Sequence, residues 1–185
     1  MTFGKGIYAD KVVERLLRQN KKWGSRDRSF VAEHTYEIVR WWGMLWALLG
    51  KEPSTKRKDL QKLFGVYWQW RGYELPDWPK FDAIRDFNFE DAQGNLETVG
   101  QRESYAEWFD TFAREQLGDK WPTIAKVMNT PNTVNIRVNP LKATKEQVVD
   151  ALGQAGISAY DHPVFKNAIC LAGRPKLNNI PAFQQ

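Results

Sequence analysis

This sequence is poor in the residues that make cross-links and metal sites. A single cysteine, Cys170, excludes an internal disulfide framework and predicts a reducing compartment. The two histidines, His34 and His162, have no Cys or His at ligand spacing, so no metal site is expected. His34 falls on an apolar helical stripe, where a satisfied core histidine is expected, and His162-Pro163 reads as a turn. Long hydrophobic runs are also missing. None reaches the roughly 18–20 apolar residues that span a bilayer. The opening Met1-Thr2-Phe3-Gly4-Lys5-Gly6 lacks the apolar stretch of a signal peptide. Together these absences predict a cytoplasmic protein without a membrane partner.

Aromatic rings and positive charge are what the chain does have. Nine Trp and ten Phe in 185 residues, with 42% hydrophobic residues, predict a packed core and a ring-rich surface. The net charge of +5 is unevenly spread. Residues 1–80 carry 16 Lys and Arg against 9 Asp and Glu, residues 81–120 carry 4 against 10, and residues 121–185 carry 7 against 3. Two basic blocks around an acidic one suit a protein that turns selected faces toward a polyanion.

Periodicity then divides the chain. Ile7, Val12, Val13, Leu16 and Leu17 predict a helix over 7–19. After Gly24-Ser25, with Asp27 or Ser29 as a cap, a wide apolar stripe from Phe30 to Leu49 predicts one long helix over 28–49, buried on more than one side. Leu60, Leu63, Phe64, Tyr67 and Trp70 mark a third helix, opened by Ser54 or Thr55. Residues 81–103 are acidic and weakly periodic, and read as a loop or linker with one short helix or hairpin. Two helices follow over 104–128, split at Gly118-Asp119 and marked by Trp108, Phe109, Phe112 and Leu117, then Trp121, Ile124, Val127 and Met128. From Thr133 to Asn139 apolar and polar residues alternate, which predicts a half-buried strand. Thr144 caps a helix over 145–155, and strands are expected near 157–160 and 164–171. The fold class is α+β and mainly α. It comprises a helical bundle over 1–80, an acidic connector over 81–103, and a region 104–185 that joins the helical pair to a small α/β module of ferredoxin or RRM type.

Within that last region, Ser104-Tyr105-Ala106-Glu107-Trp108, Gly118, Asn129 and Arg137-Val138-Asn139-Pro140-Leu141-Lys142 form a connected pattern. It resembles the segment that precedes the catalytic domain in the Sun/RsmB family of RNA cytosine-5 methyltransferases. Ala106 stands where that family usually has proline. Arg26-Asp27-Arg28-Ser29-Phe30 through Arg40 is similar to the core helix of the NusB-like RNA-binding bundle often fused ahead of it. Leu177 to Phe183 looks like the lead-in to the catalytic domain, but the Gly-rich cofactor loop and the Pro-Cys and Thr-Cys motifs are absent. The resemblance implies an RNA-positioning region, for ribosomal RNA, without catalytic residues or cofactor of its own. S-adenosylmethionine and the nucleophilic cysteine would belong to a catalytic domain expected after Gln185. The other reading is a free-standing NusB-like module that binds RNA or protein without chemistry.

Candidate RNA-binding residues are Lys21, Lys22, Trp23, Arg26 and Arg28 between the first helices, Arg40, and Arg137, Asn139 and Lys142 around the strand. The first group pairs charge with a ring, a combination suited to phosphates and unpaired bases. Lys56-Arg57-Lys58 places cations at a helix start, against the helix dipole. Arg137 and Asn139 share a strand face with Asn135, and that face either reads RNA or docks the catalytic domain. Of the clustered Trp41, Trp42, Trp46, Trp68 and Trp70, core roles are expected, with Trp41 and Trp70 as the exceptions. Cys170, between Ile169 and Leu171 and without a nearby cation, is expected to be a buried structural residue.

Overall fold

The computed structural model describes residues 2–173 and Pro175. The Leu177–Phe183 lead-in lies outside the described residues. The chain divides into two compact units, Met1–Asn129 and Thr130–Gln185.

The first unit is helical: α1 (Thr2–Lys5), α2 (Ala9–Gln19), α3 (Ser25–Arg40), α4 (Trp42–Leu48), α5 (Arg57–Trp70), α6 (Phe89–Gly94), α7 (Val99–Glu103), α8 (Glu107–Leu117) and α9 (Trp121–Met128). Its main core joins Leu45, Trp46 and Leu48 of α4 to Leu63, Val66 and Tyr67 of α5. A smaller core joins Ala113 of α8 to Trp121 and Ala125 of α9.

Two expectations are corrected here. The helix expected over 28–49 is broken at Trp41 into α3 and α4. No residue of α3 is fully buried, whereas α4 buries Met44, Leu45, Trp46 and Leu48. The break has a long-range cause. The Ser104 hydroxyl accepts the N–H groups of Gly43 at 2.9 Å and Met44 at 3.3 Å. It thereby satisfies orphan donors of the α4 first turn, as an N-cap side chain would. Ser104 sits in the left-handed region (φ 61°), which aims its hydroxyl from the end of α7. The acidic 81–103 segment is likewise more than a linker. A 3-10 helix over Pro79–Ile84 lays Phe81 and Ile84 against α5, and Leu96 enters the same core.

The second unit contains β1 (Val134–Arg137), α10 (Lys145–Gln154), β2 (Ala159–Asp161) and β3 (Ala168–Leu171). The sheet order is β1-β3-β2 with β3 antiparallel to both neighbours, so β1–α10–β2 is a split βαβ. Thr144 caps α10 as expected, and does so through a capping box with Gln147. At the other end of α10, Gly156 (φ 74°) lets the Ile157 N–H bond back to the Leu152 carbonyl at 2.9 Å, a Schellman closure. Val134 and Ile136 face Leu171 and Ile169 in register, and all four pack with Leu152 of α10. The strand expected over 164–171 begins only at Ala168, because residues 162–167 form a hairpin loop.

Candidate nucleic-acid interface

The sheet face opposite α10 carries Asn135 and Arg137 of β1, Ala168 and Cys170 of β3, and Tyr160 of β2, as the pairing register requires. Asn135 and Arg137 are exposed, and Tyr160 is half-exposed at 53%. Cys170 is buried between these rows, so its thiol is shielded on the middle strand.

Asn139 has a structural task. Its side-chain oxygen accepts the Leu141 N–H at 3.1 Å, and its carbonyl accepts the N–H groups of Lys142 at 3.0 Å and Ala143 at 3.1 Å. It builds the turn that carries β1 toward α10 and leaves Lys142 exposed. Lys145 is drawn away from any open surface. Its ammonium pairs with Asp161 at 2.8 Å and donates to the Lys166 carbonyl at 3.3 Å.

In the first unit, Lys21, Lys22 and Arg26 are exposed at the α2–α3 junction, and Trp23 is half-buried beside them. Arg28 turns inward instead. Its guanidinium donates to the Leu17 carbonyl at 2.9 Å, tying the start of α3 to the last turn of α2. Arg40 is exposed at the end of α3, close enough to Tyr105 to oppose the burial that pushes the Tyr105 phenol up. Arg57 and Lys58 occupy the exposed first turn of α5, where Ser54 donates to Asp59 at 2.7 Å.

The aromatic expectations divide. Trp46 is fully buried, while Trp42 and Trp68 pack around the core. Trp41 and Trp70 meet edge to face at 5.1 Å and also pack against it. Other rings are exposed, among them Trp78 at 51%, Trp108 at 73% and Phe112 at 54%. On α8 the inward positions are Asp110 and Ala113 rather than Trp108 and Phe112. The buried Asp110 carboxylate accepts the Trp121 indole N–H at 2.6 Å and an Arg114 N–H at 2.6 Å. Composition offered no signal for a buried carboxylate, since its donors arrive from α9 and from the next turn on the same face of its own helix. Tyr105 adds a second tie by donating to the Ala125 carbonyl at 3.2 Å. The motif residues Ser104 and Tyr105 thus hold helices in place.

Comparison with known proteins now bears on this arrangement. The profile of the "Methyltr_RsmF/B-like, ferredoxin-like domain" family matches residues 105–178. Those residues are similar to that domain family. The matched segment takes in α8 and α9 of the first unit together with the whole described sheet of the second. The chain is 37% identical over 65 residues to ribosomal RNA small subunit methyltransferase B from Pectobacterium carotovorum subsp. carotovorum (strain PC1). That match spans 35% of this chain and 15% of the relative's length. The crystal structure of PH0851 is similar in fold over 98% of this chain and 48% of its own, with a TM-score of 0.53 at 15% identity. The Sun/RsmB-type resemblance and the mainly α, α+β class are therefore established. Residues 105–178 are thus similar to a region found in RNA methyltransferases.

Among the described residues no group of His, Cys, Asp and Glu is placed to hold a metal ion. No described helix is long and apolar enough to cross a membrane. His34 and Tyr67 share a 2.7 Å hydrogen bond, and burial lowers the His34 pKa.

Proposed function

We propose that this chain binds and positions RNA, of the ribosomal class, for an S-adenosylmethionine-dependent cytosine-5 methyltransferase domain. The observation that carries this reading is the RsmF/B-like match over residues 105–178. Two exposed cationic surfaces support it: Lys21, Lys22 and Arg26 in the first unit, and Arg137 and Lys142 in the second. Phosphate contacts of this kind supply affinity and orientation without reading sequence.

In this reading the methyl donor is held outside the described residues. β1 enters α10 through Asn139-Pro140-Leu141-Lys142-Ala143, a turn without the glycines that let a backbone close around a nucleotide-like cofactor. Cys170 is buried on the central strand and cannot reach a base. Cofactor and nucleophile are assigned to the catalytic domain, and this region supplies binding and orientation.

The test is salt-dependent RNA binding. Replacing Lys21, Lys22 and Arg26 with Ala should weaken binding of a ribosomal RNA fragment and flatten log Kd against log salt by about 0.7–0.9 per lost phosphate contact. Arg28→Ala is a poor probe because it also frees the Leu17 carbonyl. An unchanged slope, or no RNA affinity for the wild-type chain near 50 mM salt (the low end of the usual range), would overturn the proposal.

A further inference from the structure

The β2–β3 loop, residues 162–167, exposes two large apolar side chains, Val164 at 76% and Phe165 at 64%. Exposure of this kind usually accompanies slack backbone. Here the backbone is held. The His162 Nδ1 accepts the N–H groups of Val164 at 3.1 Å and Phe165 at 3.2 Å. The Ala168 N–H donates to the Phe165 carbonyl at 3.0 Å, and the Asn167 carbonyl accepts the Val138 N–H at 2.8 Å. The His162 ring also lies 5.0 Å from the Phe165 ring, centre to centre. The phenyl group is therefore presented in a set position, with little ordering left to be done on binding.

Beside it runs an open groove of about 400 Å³, lined by Arg137, Phe165, Lys166, Asn167 and Ala168. This size lies within the range of small-ligand sites. Its lining holds two cations and no carboxylate. Asp161, the acid at the foot of the loop, is already paired with Lys145. An exposed ring next to an arginine and a lysine matches one ligand chemistry well: a base to stack and a phosphate to neutralise.

We infer that this groove seats one unpaired ribonucleotide, its base on Phe165 and its phosphate between Arg137 and Lys166. The inference rests on the RNA-positioning reading and assigns it a point of contact. Single-stranded RNA is the ligand, because within a duplex both faces of a base are covered by its stacked neighbours.

The experiment uses the full 185-residue chain and a short single-stranded oligoribonucleotide, with a duplex of the same sequence as comparison. Phe165→Ala should raise the Kd for the single strand about 5- to 150-fold, the worth of one stacked base. Its salt slope should stay at the wild-type value, and duplex binding should barely change. Phe165→Trp should keep the affinity. Arg137→Ala with Lys166→Ala should instead flatten the slope by about 0.7 per lost contact. If Phe165→Ala binds as wild type, or Phe165→Trp is as weak as Phe165→Ala, the stacking seat is overturned while the RNA reading stands. If the wild-type chain binds no RNA, both fall together.

Discussion

At the scale of single residues, the pair His34 and Tyr67 contributes to how the helical unit responds to pH. Burial lowers the His34 pKa below 6.5, with Arg71 lowering it further and Glu33 and Glu37 opposing. Burial pushes the Tyr67 phenol from 10.0 up to about 12. The two shifts act at opposite ends of the scale. A histidine with a depressed folded pKa contributes stability above pH 6.5, which is lost as pH falls from there to its folded value. A tyrosine with a raised folded pKa contributes stability below pH 10, which is lost as pH rises toward 12. Thermal melts should therefore decline on both sides of a neutral plateau. The alkaline limb should reach on the order of 2 kcal/mol. His34→Gln should flatten the acid limb, and an acid limb unaltered by that change would place its origin in other groups.

At the scale of elements, the contact of the 79–84 helix with α5 depends on one missing side chain. A Cβ on Gly65 would collide with Ile84 and approach the Phe81 ring to 3.1 Å. The Ile84 tip can move, but Phe81 is itself buried in the core and leaves it little room. Gly65→Ala should therefore destabilise the chain by about 1–3 kcal/mol, the usual cost of overpacking, despite the better helix propensity of alanine. Chemical denaturation monitored by tryptophan fluorescence would measure it. A gain in stability would show that the segment over Pro79–Ile84 is loosely held. Ser104 illustrates the same dependence across the chain, since a hydroxyl 61 positions away decides where α4 begins.

At the scale of the whole molecule, each unit has a core made of its own residues. All nine tryptophans precede Thr130, so indole fluorescence reports on the first unit alone. The second unit is better followed by amide exchange. Leu152 is fully buried between α10 and the sheet, and Leu152→Ala should cost about 2–5 kcal/mol. The expected sign is faster exchange at Ile136, Ile169 and Leu171; unchanged protection there would mean that the sheet does not rest on α10.

What the sequence determined by itself is local. The 2.0 period of Val134, Ile136 and Val138, the Thr144 capping box and the helical stripes each depend on near neighbours, and short-range spacing specifies them. The Arg137 to Lys142 pattern was legible for the same reason, because its residues are contiguous. Tertiary structure alone decided the rest. The break at Trp41 comes from Ser104, the burial of Asp110 from Trp121, the inward turn of Arg28 from the end of α2, and the packing of the 81–103 segment from α4 and α5. The loop at Phe165 was hidden inside an expected strand until the sheet register and the His162 hydrogen bonds defined it. Each of these depends on a donor, acceptor or surface that is distant in sequence, and periodicity carries no information about where such a partner will arrive.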